Sequence, residues 1–510
     1  MTATSSRRAL LRAGAALPLL AAMRRPAAAA AAPRLRLVGP WEIAGLEPAI
    51  SGYFFTRLQV CETLVESDDQ GRLLPGLARR WTCDASRLRW TFELRPGARF
   101  HDGTAVDAAQ VVRVLERAHQ RPGLLRLAPL RSLRAAGGAV VFELAEPFAL
   151  LPALLTHSST MLLAASSFDA GGVRAIVGSG PYRVHEMAAP QRVEVQALAP
   201  GLRVQRAAFL SVARAETRAL MAEAGEADLA FALDPASLQR LRREPRVAVL
   251  QVTVPRTLIV KLDSGHRWLR DRRARQALSL AFNRGGIARG LLRDGELAAS
   301  QLLPPTLADW HLPGLAPLAF DPAAARRLWA ELGWRPGADG ILERGGERLA
   351  LTLRTFPDRP ELPLVAAALQ EQLRQTGIDC RVAIGNSGEV PLRHRDGSLE
   401  MALAPRQYGL TADPLGTLMQ DFAAGGGDWG AMNWHSPALE AAMTALTRGE
   451  GDAAAGRRRV VTVLHEELPV IPVAWYRQTA AAARPLAGIA LDPLERSWRL
   501  ADMPWAGGGA

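Results

Sequence analysis

The chain has 510 residues, 48% of them hydrophobic and 22% charged, a length that predicts two or three domains rather than one core. Its formal charge of +12 invites a nucleic-acid reading, but the arginines are scattered, and Arg7, Arg8, Arg12, Arg24 and Arg25 lie in an N-terminal stretch without acids; no basic face is built, which argues against that partner. Lys261 is the single lysine among the basic residues, a bias of composition rather than a phosphate-binding pattern.

Ser5 to Arg12 places twin arginines before the apolar run Ala13 to Met23, and the Ala-rich stretch Ala27 to Ala32 offers small-residue cleavage sites. This is the layout of an export signal of twin-arginine type over residues 1–32, although Arg24 and Arg25 interrupt it. About eleven apolar residues are too few to cross a bilayer, which needs about twenty. Cys61, Cys83 and Cys380 are an odd set whose spacing does not suit zinc; they are read as buried thiols, with a Cys61–Cys83 disulfide the alternative.

A short alternating strand is expected from Arg34 to Val38. Further on, Trp90, Phe92 and Leu94 alternate with Thr91, Glu93 and Arg95, the period of a half-buried strand, and Pro96-Gly97 break it. His101-Asp102-Gly103 then turns the chain, Thr104 is placed to cap a helix with Asp107 as its capping-box acid, and Ala108, Val111, Val112 and Leu115 form the helix stripe. Trp90, Thr91, Phe92, Leu94, Arg95, Gly97, Phe100, Asp102 and Gly103 resemble, in order, the signature of the periplasmic solute-binding proteins of ABC importers, family 5, the peptide/opine/nickel type. Leu77, Ala78 and Trp81 before it, the turn Gly178-Ser179-Gly180-Pro181-Tyr182, the Gly225-Glu226-Asp228 element, and Arg275, Ala277, Ala281, Phe282, Asn283, Arg284 and Ile287 resemble later motifs of the same family.

Thr257 to Ser264 reads as a buried strand. Asp321 and Pro322 start a helix that ends at Gly333, and Leu349, Leu351 and Leu353, then Val365, Leu369 and Leu373, then Ile378, Cys380, Val382 and Ile384 spell strand, helix, strand, a βαβ crossover. Pro469 to Gln478 is a further strand. The resemblance implies an α/β, two-lobed periplasmic binding protein fold (class II, cluster C type) with an extra subdomain in the first lobe and a hinge between lobes. The expected boundaries are 33–256 for lobe I, 257–476 for lobe II, and 477–510 for the return to lobe I and the tail.

Such a protein binds a solute between its lobes and does no chemistry. Ser179 lacks a nucleophile-elbow frame, and His101-Asp102 and His435 have no triad partners by motif; a periplasmic hydrolase is therefore the less favoured class, as is a sensory module that presents ligand to a receptor. The implied protein is an exported monomer that binds a peptide-like solute, an opine or a chelate without cofactor or nucleic acid, and delivers it to an inner-membrane ABC permease. A nickel-complex or metallophore carrier is the alternative. Met401 to Met419 resembles the second-lobe ligand stretch ending in Asp413-Pro414. Where peptide binders place an acid for the ligand's amino terminus, this chain has Leu410, which argues against a free peptide held in that way. The candidate ligand residues are Arg406, Gln407, Tyr408 and Asp413 on that stretch, Tyr53, Phe54 and Arg121 in the first lobe, and Trp429 and Trp434. Arg406 or Arg121 would orient an anionic group and Tyr408 and Trp434 would pack on the ligand body; the aromatics read equally well as core.

Overall fold

The computed structural model describes residues 34–424 and 426–505. The leader expected over 1–32 lies outside them. No described helix is long and apolar enough to cross a membrane.

The chain opens with β1 (Arg34–Gly39), whose alternate residues Leu35 and Leu37 are fully buried, and continues into α1 (Pro48–Arg57). A four-stranded antiparallel sheet follows, made of β2 (Ala78–Cys83), β3 (Arg89–Leu94), β4 (Leu130–Ala136) and β5 (Ala139–Leu144) in the order β2-β3-β5-β4. It is the extra subdomain, and helix α2 (Ala108–Gln120) packs on it through Val111 and Leu115. The helix begins three residues later than Thr104 suggests. Asp102 accepts both the amide (3.0 Å) and the hydroxyl (2.6 Å) of Thr104, which holds Thr104 in the turn and leaves Asp107 as the N-cap, accepting from the Gln110 amide at 2.8 Å.

The chain then builds one edge of the main sheet with β6 (Tyr182–Ala188), β7 (Arg192–Ala197) and β8 (Arg206–Ser211), and adds β9 (Leu229–Phe231). The long β10 (Val247–Leu262) crosses to the second lobe. There α3 (Arg272–Ala281) and α4 (Arg284–Gly290) carry Arg275 and Arg284 of the Arg275–Ile287 motif. Arg275 donates to the Leu269 and Glu467 carbonyls, and Arg284 to the Ser279 and Pro472 carbonyls, so these guanidiniums tie helices to the start of the returning strand. The expected crossover is present: β11 (Ala350–Thr355), α5 (Glu361–Gln375) and β12 (Asp379–Ile384), with β11 and β12 parallel. After β13 (Met401–Gln407) come α6 (Leu415–Phe422), α7 (Pro437–Arg448) and α8 (Ala453–Glu467), and β14 (Val470–Ala483) returns the chain.

The main sheet runs β6-β7-β8-β1-β9-β14-β10-β13-β11-β12. Both lobes therefore share one sheet, joined by the antiparallel pair β10 and β14. The register of that pair shifts between Val254 and Thr257 and again between Leu258 and Ile259; such bulges bend a strand locally and place the bending point between the lobes. The subdomain also touches the second lobe. The Ala149 amide donates to Thr447 O (2.6 Å), Arg87 Nη1 to Arg448 O (2.8 Å), and Arg448 pairs with Glu146 at 2.6 Å.

Candidate functional site

A cavity of about 720 Å³ lies between α1, the segments 59–69 and 156–158, the C-terminal stretch 488–504 and Leu410 of the second lobe. Its walls mix apolar and polar groups, as small-molecule sites do. The turn Gly178-Ser179-Gly180 shapes one wall from behind: a Cβ on Gly178 would sit 2.0 Å from Val60 O, and one on Gly180 2.2 Å from Gln59 O. Only glycine lets that turn close on the 59–61 segment.

Of the expected ligand residues, Tyr53 lines this cavity. Its ring lies under the Arg57 guanidinium at 5.0 Å, and burial raises its phenol above the ordinary value. Phe54 is one position on and faces the opposite way, fully buried edge-on to Phe209 at 5.1 Å. Arg121 is exposed after the end of α2, beside a shallow crevice with Glu47 and Phe168. Arg406 directs Nε and Nη2 onto Asp421 at 2.6 and 2.8 Å, so its charge is already paired. Gln407 donates to Glu495 at 2.7 Å. Tyr408 is fully buried with its hydroxyl unpartnered, and its amide donates to Pro255 O at 2.7 Å. Asp413 accepts from the Leu415 amide at 2.9 Å at the start of α6; burial raises its carboxyl. Trp429 packs edge-on to Phe356 at 6.1 Å, and Trp434 donates Nε1 to Glu467 at 3.0 Å. The structure thus brings Tyr53 and Leu410 to the cavity, leaves Arg121 exposed at a separate crevice, and places the other named side chains in packed, hydrogen-bonded or ion-paired positions.

Beneath Arg406, the buried Asp421 also faces Lys261, which is fully enclosed and donates to the Gly427 and Gly430 carbonyls at 2.8 and 2.6 Å. Burial lowers this ammonium to about 7, against the pull of Asp421.

The residues that line the cavity most densely carry no motif. His157 holds its Nδ1 against the Ser159 hydroxyl (2.8 Å) and amide (3.1 Å), and burial, helped by Arg406, lowers it to about 4. Glu66 accepts from Thr63 Oγ1 at 3.1 Å and burial raises its carboxyl. Arg57 donates Nε to Glu495 O at 2.6 Å, and Glu495 binds Arg256 of β10. Arg496 and Arg499 join Asp492 and Asp69 across the mouth. The 484–505 segment has neither strand nor helix period, so nothing in its sequence marks it as a wall. A smaller hollow of about 270 Å³ lies against the crossing strands, lined by Leu258, Trp475, Tyr476 and Glu361.

The three cysteines are free, Cys61 and Cys380 buried as expected and Cys83, at the end of β2, only half-buried. Cys61 lines the cavity with its thiol pushed up by burial, and Cys380, in β12, is raised to about 12. His101 meets Gly180 O at 3.0 Å while Asp102 holds Thr104 and Ser166, so this pair fastens loops. Among the described residues no group of three or more His, Cys, Asp or Glu side chains is placed to hold a metal ion.

Two α/β lobes on a shared sheet, joined by two crossing strands and framing a cavity of mixed polar and apolar lining, define a two-lobed solute-binding protein. Residues 72–429 match the model of the bacterial extracellular solute-binding proteins, family 5, and the chain belongs to that family, whose members serve ABC importers. It is 25% identical to the nickel-binding periplasmic protein of Escherichia coli K12, over 91% of this chain and 93% of that one. It is also 25% identical to the glutathione-binding protein GsiB of Escherichia coli K12, over 63% of each chain. Among solved structures, NikA of Brucella suis with Fe(III)-EDTA superposes with a TM-score of 0.82 at 24% identity, covering 92% of this chain and 99% of that one. AgaA of Agrobacterium tumefaciens R10 with agropinic acid superposes at 0.77 and 16% identity, covering 91% and 97%.

Proposed function

We propose that the protein works outside the cytoplasm, takes a small polar organic solute into the cavity between residues 53–69, 156–158, 410 and 488–504, and presents it to an ABC permease in the closed form. The observation that carries this reading is the cavity itself, about 720 Å³, lined from the first lobe and capped by Leu410 of the second. Tyr53 and Arg57 form one wall, and Arg406, though paired with Asp421, adds its field to His157.

The relatives' ligands, an iron or nickel chelate, glutathione and agropinic acid, all bring carboxylates. A chelate would be taken here with its own ligands around the metal, since no group of three or more His, Cys, Asp or Glu side chains among the described residues is placed to hold the ion. Native mass spectrometry of protein purified without denaturation is the direct test. One small polar molecule per chain is expected, and glutathione, agropinic acid or nickel-histidine should raise the melting temperature if it is the solute. A chain that carries no molecule and responds to none of a broad solute panel would defeat the reading.

A further inference from the structure

The smaller hollow against the crossing strands, about 270 Å³, shares no lining residue with the solute cavity. Trp475, Arg477 and Thr479 of β14 line it, while Gln478, between the last two, lines a crevice with Arg57, Asp492 and Glu495, which also border the solute cavity. Strand β14 therefore lies between the two spaces. The walls of the hollow come from both lobes: Leu233 and Leu238 belong to the first, and Leu292, Leu297 and Glu361 to the second. An occupant touches both at once.

The buried part of the lining is mainly apolar, made by Leu233, Leu238, Leu258, Leu297 and Trp475. Glu361 is the exception. It is 8% exposed and opens α5, where a carboxylate in the first turn suits the helix dipole, and it lies in the field of Arg359, two positions earlier. Its charge is thus met, but its hydrogen bonding is not: Oε1 is enclosed without a partner. The guanidinium of Arg477 does not serve it, because Asp294 takes Nη1 at 2.6 Å and Glu296 takes Nη2 at 3.3 Å. A buried acceptor left without a donor is costly, and such groups usually have a partner.

We propose that this hollow is a second binding site, which takes a small uncharged molecule with an apolar body and a hydroxyl that donates to Glu361. The leucines and Trp475 remove the body from water, and the hydroxyl supplies the charge-assisted hydrogen bond that the carboxylate lacks. An anion would meet Glu361, and a cation would meet the fields of Arg359 and Arg477, so a neutral donor fits the place. The site stands apart from the solute cavity and does not depend on what that cavity holds.

The test uses the full-length protein and three probes that share one apolar body: 2-phenylethanol, its methyl ether, which cannot donate, and 2-phenylethylamine, which carries a cation. Saturation-transfer NMR titrations and the melting temperature are the readouts. The alcohol should bind roughly tenfold more tightly than the ether, the strength of one hydrogen bond to a charged group, and more tightly than the amine. Glu361→Leu should bring alcohol and ether level, and Glu361→Gln, which keeps an acceptor, should retain part of the preference. Tyr53→Ala, in the solute cavity, should leave alcohol binding intact. Equal binding of alcohol and ether overturns the proposal, as does a preference that survives Glu361→Leu, tighter binding of the amine, or no binding of any probe. Loss of alcohol binding in Tyr53→Ala overturns it too, because the probe would then sit in the solute cavity, and the reading of that cavity would stand.

Discussion

Arg406 and its neighbours show how much of a residue's role depends on partners that are far away in sequence. An arginine before a ligand-type motif reads naturally as an anion binder, yet Asp421, fifteen positions on, takes both arms of the fork. Asp421 in turn faces Lys261, so one buried carboxylate serves two cations. Asp421→Asn should cost about 3–5 kcal/mol, the usual effect of breaking a buried pair from one side, measured by urea denaturation. A pH effect follows from Lys261, which faces Asp421, Asp428, Asp263, Arg406 and His394. Its value falls from 10.5 to about 7 on folding, so between these values the unfolded chain binds the extra proton. This contribution to stability is fully present above pH 10.5 and is lost as the pH falls through about 7. The melting temperature of the native protein relative to Lys261→Met should therefore climb between pH 7 and 9, and parallel curves would refute the assignment.

At the scale of elements, period and punctuation were legible where a strand or helix has one apolar face. Leu351 and Leu353, Val365 and Leu369, and Phe92 with Leu94 are buried as their spacing implies, because alternation and the 3.6-residue repeat are local. The cap at Thr104 was not legible, since Asp102 competes for the same groups. Nor was the cause of the Gly-Ser-Gly-Pro-Tyr turn, whose constraint is the carbonyls of Gln59 and Val60 more than a hundred residues earlier. Of the nine candidate ligand residues, Tyr53 reaches the cavity because it sits on the open side of α1, whereas Phe54 turns to the core. Arg57 and Glu495 carry no local pattern at all and meet only after β14 returns the chain. Gly180→Ala should destabilise the protein by more than about 2 kcal/mol through overpacking, and should weaken solute binding by moving the Gln59–Cys61 wall; calorimetry and denaturation together check both.

For the whole molecule, the continuous sheet sets how the lobes can move. The subdomain's contacts with the second lobe, Arg448 to Glu146 and Arg87 to the Arg448 carbonyl, lie away from the cavity and tie the two together in the arrangement described above. Arg448→Ala should therefore weaken solute binding modestly, by about twofold to fivefold for an exposed ion pair, and should enlarge the radius of gyration of the unliganded protein in X-ray scattering without altering any cavity residue. An unchanged radius and affinity would mean that these contacts do not bias closure. The enclosure of Lys261 has a use beyond electrostatics. As the chain's only lysine, it is the only side-chain amine that an acylating reagent can modify, and it is sealed beneath the Gly427 and Gly430 carbonyls. Its acylation, read by peptide mass, would time the opening of the second lobe independently of any bound solute.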